Sequence, residues 1–268
     1  MIGVDGWSAM ASKMGADTPL ALPLCGLQTR FAAGVWLILS TGVRVGELIG
    51  ATWADADQDP ADLRSIGERA DVKVGFVDLE QNTWHMPVTK NQRSHTIHLS
   101  DFARAQFKQL QALPKSMSDN TASLSPWVFS NDAGDGPVGV KTLGKQLSDR
   151  QREAEVPLRG RSKATSSLSL PGGRWTAHDL RRTAATLMAT LGVSGDVIDE
   201  CLNHVIESRV RRTYIRDRRV EQQRQAFDAL GKSLDGLVQA SSPTSSQSTT
   251  SHSTRGERLT LREASGAP

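Results

Sequence analysis

The sequence predicts an α+β domain, mainly α, with a small three-stranded antiparallel sheet set into it. Three observations carry that expectation. Apolar residues recur at helical spacing near residue 35 and again from about residue 177 to 238. Between Val72 and Leu99 the period shortens, and runs bearing Val, Thr, Trp and Ile are separated by polar turn residues. Residues 241–268 are rich in serine and threonine and have almost no large apolar side chains. Such a segment buries too little surface to offset the ordering of its backbone, which predicts a disordered tail. One domain is therefore expected over residues 1–240, with its core at about 25–235.

The elements follow in order. Phe31, Val35, Trp36, Ile38 and Leu39 mark a first helix that should stop at Thr41-Gly42. VGELIGATW, which follows, reads as a second short helix. VKVGFVDLE, TWHMPVTK and HTIHLS read as strands of a meander, with QN and NQRS as the turns. Helical texture returns in DFARAQFKQLQAL, followed by a short strand-like WVF at 127–129 and another helix near 140–155. A polar loop occupies 159–173. Thr176 and Asp179 then form a capping pair, and Leu180, Ala184, Leu187, Met188 and Leu191 make one apolar stripe behind it. Gly192 ends that helix and Ser194 can cap the next, which Val197, Ile198, Cys201 and Leu202 bury. A helical pattern from about Asp217 to Val238 closes the folded part.

Composition removes several function classes. Hydrophobic residues at 38% and charged residues at 23% describe an ordinary globular chain. The most apolar stretch, FAAGVWLIL at 31–39, is too short to span a bilayer, so no membrane role is expected. The N-terminus lacks a basic region followed by an apolar run, so no signal peptide is expected. Cys25 and Cys201, the only cysteines, make neither a disulfide framework nor a zinc spacing, and the default is a reducing, cytoplasmic compartment. His85, His95 and His98 fall in the predicted sheet, but His95 and His98, three apart on a strand, point to opposite faces. They read as surface or hairpin residues, and no metal or cofactor is expected. The net charge is only +3, yet from Asn203 to Arg224 seven arginines face Glu207, Asp217 and Glu221. That local basic stripe fits an anionic polymer and, on charge alone, fits a solvated helix face equally well.

Three segments then line up. STGVRVGEL places Arg44 and Glu47 one helical turn apart, and TAHDLRRTAATLMATLGV does the same for His178 and Arg181. CLNHVIESRVRRTYIR places His204 ten residues before Tyr214, the only tyrosine in the chain. Tyr214 sits among Arg211, Arg212, Arg216, Arg218 and Arg219. With Lys90 on the hairpin VTKNQRSHTIHLS, this order of elements closely resembles the catalytic domain of the tyrosine recombinases, the phage-type integrases. The resemblance covers roughly residues 25–235, and its LNH form is similar to that of integrases of prophages and genomic islands. LNH replaces the commoner LGH, so Asn203 must supply a turn that glycine usually makes; asparagine tolerates that backbone better than most residues. Only 43 residues precede Arg44, which suggests a catalytic domain without the family's N-terminal DNA-binding domain.

The resemblance implies roles that the chemistry explains. Cutting a DNA phosphodiester without a metal needs an in-line nucleophile, charge held on the non-bridging oxygens and a proton for the departing 5′ oxygen. Tyr214 is the implied nucleophile, and Arg44 and Arg181 are the forks that hold the phosphate. His178 is the acid–base group, His204 a hydrogen-bond donor to the phosphate, and Lys90 the proton donor to the leaving oxygen. Arg93 is a near competitor of Lys90, and Glu47 orients Arg44 or the local backbone. Arg182, Arg211 and Arg212 read as DNA-backbone contacts. The implied partners are double-stranded DNA at attachment sites, further copies of the chain in a tetramer with exchanged C-terminal helices, and accessory DNA-bending proteins. Alternative readings are a type IB topoisomerase with a similar site, a DNA-binding remnant without catalysis, and a helix-turn-helix regulator, which would leave Arg44 and Tyr214 unexplained.

Overall fold

A computed structural model describes residues 25–113, 125–153, 159–160, 165–204 and 219–241. Tyr214, Arg211, Arg212 and the tail at 242–268 lie outside the described residues. Helix α1, Cys25–Thr41, is the axis of the fold. Ala33, Val35, Trp36, Leu37, Ile38 and Leu39 are all buried, so this helix is apolar nearly all round and other helices cover it on several sides. It stops at Gly42, whose φ of +67° is open to glycine and unfavourable for a residue with a Cβ.

The next segment departs from the expected short helix. VGELIGATW divides into helix α2, Val45–Ile49, and strand β1, Ala51–Trp53. Gly50 lies at the break, where a Cβ would run into the backbone of Lys73. Strand β1 pairs in parallel with β2, Gly75–Asp78. Parallel neighbours need a crossover, and helix α3, Pro60–Arg69, supplies it. Asp59 caps that helix by accepting from the Ala61 amide at 2.7 Å, with Pro60 as its first residue. The sheet therefore has four strands in the order β1-β2-β3-β4 rather than three. Its β2-β3-β4 part is the expected antiparallel meander.

Strand β3 is Thr83–Met86 and β4 is His95–His98. Trp84, Met86 and Ile97 form the buried face, and Trp84 meets Phe107 edge-on with ring centroids 5.4 Å apart. Phe107 belongs to helix α4, Asp101–Ala112, which Ser100 caps. WVF forms no strand of its own; Trp127 makes one isolated bridge to Thr52. Helix α5, Lys141–Arg150, ends earlier than expected. Beyond it, the Gln151 side-chain amide donates to Trp175 O and accepts from Trp175 N, both at 2.8 Å. That double bond seats the chain at the start of helix α6, Ala177–Thr190.

The capping pair of α6 is present: Asp179 Oδ2 accepts from Thr176 N at 2.9 Å. Leu180, Ala184 and Met188 of the expected stripe are fully buried, whereas Leu191, just past the helix, is exposed. Helix α7, Gly195–Cys201, buries Val197, Ile198 and Cys201. Helix α8, Val220–Ser241, drives Phe227, Leu230 and Leu234 into the core. It lies against α1, α4, α6, α7 and β4 of the same chain. None of the described helices is long and apolar enough to cross a membrane.

Candidate active site

The site grows from the end of α1. The positive φ at Gly42 turns the chain so that Arg44 becomes the N-cap of α2. Glu47, three residues on, closes the turn from both sides. Its Oε2 accepts from the Arg44 backbone amide at 2.8 Å and its Oε1 from Arg44 Nη1 at 3.0 Å. The Glu47 side chain is only 5% exposed and that of Arg44 28% exposed, so the pair is far from a loose surface bridge. The guanidinium is held at one edge and still reaches solvent.

Arg181 approaches the same turn from α6. It is 5% exposed, an unusual burial for arginine, and its two terminal nitrogens donate to Gly42 O and Leu202 O. One side chain thus ties together the end of α1, helix α6 and the turn after α7. The cation is strained electrostatically. Burial, and then the neighbouring Arg44 charge, lower its pKa to about 10, while Glu47 acts in the opposite sense. It remains charged at neutral pH. The Arg44 and Arg181 charges thus act on one another, and Glu47 offsets part of their repulsion. A narrow crevice beside Arg181 is lined by Gly42, Glu47, His95 and Leu202.

The turn after α7 carries His204. Its backbone amide donates to Asp199 O at 2.8 Å, and its ring Nδ1 lies 2.9 Å from Asp199 Oδ1. The carboxylate fixes the ring plane and leaves Nε2 pointing outward from the pair. The ring is roughly half exposed. Asn203, just before it, adopts φ +51°, as the LNH reading requires. Lys90 is exposed at the tip of the β3–β4 turn, as expected. That turn is bound to the same segment: Asn91 Nδ2 donates to Asn203 O at 2.7 Å, and Asn203 Nδ2 donates to Thr89 Oγ1 at 2.9 Å. His95 Nε2 lies 3.1 Å from Cys201 O and adds a third tie.

Arg181, the Lys90 turn and the His204 turn therefore form one hydrogen-bonded network, and the Arg44–Glu47 pair follows directly on the Gly42 carbonyl that Arg181 binds. His178 is exposed in the first turn of α6, and among the described residues no hydrogen bond joins it to that network. Arg182 is exposed, with 66% of its side chain open to solvent, and lies 3.8 Å from Asp179. Tyr214 belongs to the segment between His204 and Arg219, outside the described residues.

Sequence reading missed Asp199, Thr89, Asn91 and the tying role of His95. Asp199 had a signal, since a carboxylate a little over one helical turn before a histidine can reach back to it. The histidines of the sheet serve as ties, and His98 Nε2 lies 3.1 Å from Asp228 of α8. Among the described residues no cluster of three or more His, Cys, Asp or Glu could hold a metal. Cys201 is buried, and burial pushes its thiol up to about 12, with the Glu200 charge adding to the effect, so it is inert.

An α+β fold that brings buried Arg181 to the turn before Arg44, beside histidine and lysine turns, defines a class of protein, and the sequence comparison assigns it. The profile of the phage integrase family matches residues 61–221, and the chain belongs to that family. The match takes in Lys90, His178, Arg181, His204 and Tyr214, while Arg44 and Glu47 precede it. The chain is 28% identical over 159 residues to prophage integrase IntA of Escherichia coli (strain K12). That alignment covers 59% of this chain and 32% of the relative, so the matched part is about a third of the relative's length. Among solved structures it is similar to the Tn1549 transposon integrase in complex with circular intermediate DNA, at 16% identity and a TM-score of 0.36. That similarity covers 73% of this chain and 58% of the other. A variant of the same integrase with another circular intermediate gives 15% and 0.35, over 72% and 58%.

Proposed function

We propose that this chain carries the catalytic domain of a site-specific DNA recombinase that cuts and rejoins strands through a 3′-phosphotyrosyl intermediate on Tyr214. Arg44 and Arg181 hold the two non-bridging oxygens of the scissile phosphate. The phenolic oxygen of Tyr214 attacks phosphorus in line, and its proton passes to His178. As the new P–O bond forms, the bond from phosphorus to the 5′ oxygen breaks, and its electron pair leaves with that oxygen. Lys90 delivers a proton to it, ending as a neutral amine. His204 donates a hydrogen bond to the phosphate, and Glu47 fixes Arg44. The products are the tyrosyl ester and a free 5′ hydroxyl. The ester conserves the bond energy, so rejoining to another strand needs no nucleotide cofactor.

The observation that supports this reading is that Arg181, 137 residues after Arg44 in sequence (181 less 44), donates to the carbonyl of Gly42, two residues before Arg44, so that the Arg44 charge acts on it. A structural ion pair with Glu47 needs one guanidinium; the second leaves net positive charge at the turn, which an incoming phosphate would offset. The same reading takes duplex DNA as substrate and a tetramer on two duplexes as the working assembly. With a nicked suicide duplex carrying the cognate site, the wild-type chain forms a covalent adduct stable to boiling in detergent, and Tyr214→Phe forms none. An equal adduct from Tyr214→Phe sinks the assignment.

A further inference from the structure

The one departure from the family's commoner pattern in the LNH turn, asparagine for glycine, has a use beyond tolerating φ +51°. Lys90 is flanked by the two residues that Asn203 holds. The Asn203 carbonyl accepts from Asn91 Nδ2 at 2.7 Å, one residue after the lysine, and the Asn203 side-chain amide donates to Thr89 Oγ1 at 2.9 Å, one residue before. Thr89 is fully buried, and its hydroxyl donates in turn to Arg93 O at 2.9 Å, across the base of the same turn. Thr89 N also donates to Arg93 O, at 3.1 Å, and Gln92 N donates to Thr89 O at 2.9 Å. The hairpin tip is therefore a closed loop clamped at two points around a single exposed lysine.

The clamp is attached to the arginine side as well. Leu202 O, the carbonyl just before Asn203, accepts from Arg181 Nη2, and Cys201 O is 3.1 Å from His95 Nε2 at the base of the hairpin. Three consecutive residues of one turn thus bind the phosphate-holding arginine and the strand and tip that bear the lysine. A glycine at 203 would keep the turn and the carbonyl half of the clamp but lose the amide half.

We infer that Asn203 is a positioning residue for Lys90: its side chain fixes the hairpin tip in register with Arg181, so that the ammonium meets the departing 5′ oxygen. Lys90 touches the reacting atoms and Asn203 does not. The inference rests on the proposed role of Lys90, and the experiment separates the two. Only the protonation of the leaving group depends on the clamp. A bridging sulfur in place of the 5′ oxygen leaves as a thiolate of pKa about 8.5, far below that of an alcohol, and needs no proton.

Adduct formation is measured for wild type, Lys90→Ala, Asn203→Gly and Asn91→Ala on matched suicide duplexes with a 5′-bridging oxygen or sulfur. Asn203→Gly accepts the positive φ without strain, so the chain stays folded while the amide is lost. On the oxygen substrate Lys90→Ala falls by about 100-fold or more, and Asn203→Gly and Asn91→Ala each fall by about 10-fold. On the sulfur substrate all three return to within about threefold of wild type, because no general acid is required. Rescue of Lys90→Ala without rescue of Asn203→Gly, or an Asn203→Gly rate equal to wild type on oxygen, overturns the positioning role. Failure of sulfur to rescue Lys90→Ala instead overturns the general-acid role on which it stands.

Discussion

The two halves of the site are built differently. On the arginine side, Glu47 and Arg181 are buried and Arg44 is part-buried, and each makes two hydrogen bonds, in the turn at 42–47 or to Leu202 O. On the outer side, His178, Lys90 and His204 are exposed and are oriented by one partner or by the backbone beneath them. Groups that stabilise charge work best when fixed in a dry setting before the substrate arrives. Groups that exchange protons must reach the substrate and tolerate changes of charge. On the proposed function, the buried bonds lie where charge is to be held and the exposed groups lie where the substrate is to be reached.

The comparison breaks most visibly at Arg181. Arg181→Ala removes a phosphate fork and the brace at once. Adduct formation is expected to drop by about 100- to 1000-fold or more. Urea unfolding should show a loss of about 1–3 kcal/mol, since Gly42 O and Leu202 O are left without their donor. Arg181→Lys should not restore the rate, because an ammonium cannot span two carbonyls and a phosphate as a planar fork does. A variant that keeps wild-type stability would show that the brace is not structural.

Gly42→Ala tests the turn itself. The new methyl group meets the Leu202 side chain, and the backbone is held at φ +67°. A stability loss of about 1–3 kcal/mol in urea unfolding is expected. His204→Ala sharpens the contrast from the other side. The rate should fall by roughly 10- to 100-fold through the lost charge-assisted hydrogen bond, while the unfolding midpoint hardly moves. An unfolding loss as large as that of Gly42→Ala would erase the distinction between the two halves.

The smallest effect lies at the start of α6. The Thr176 side-chain hydrogen bond is the main cause holding the Asp179 carboxyl below the usual carboxylate range. A group depressed on folding contributes stability that is complete above its unfolded pKa and is lost as pH falls through its folded one. Thermal unfolding followed below pH 4 should therefore show an acid-dependent loss in wild type. That part of the loss should be missing in Asp179→Asn, which is weaker at neutral pH by about 0.5–1 kcal/mol.

Much of this was legible in the sequence for physical reasons that differ from place to place. The apolar stripes of α1 and α6 and the Thr176–Asp179 cap are local patterns, and local patterns survive folding. Strand β1 was not legible, because its three residues are chosen by pairing with β2 across the α3 crossover. Helix α3 carried its Asp59-Pro60 start signal in the open, but with mostly polar residues and only Leu63 and Gly67 buried it lacks an apolar stripe. Within the site, Arg44, Lys90, His178, Arg181 and His204 could be picked out by order along the chain. The bonds from Asn203 to Thr89 and Asn91 span 114 and 112 residues, and no periodicity reports a contact of that kind.

The most direct test is the chemical identity of the adduct. A nicked suicide duplex is trapped on the wild-type chain and digested, and the nucleotide-bearing peptide is sequenced by mass spectrometry. The phosphodiester should be found on the phenolic oxygen of Tyr214, with the cleaved strand ending in a free 5′ hydroxyl. A nucleotide attached to any other residue, or cleavage that leaves a 5′-linked protein, would contradict the account.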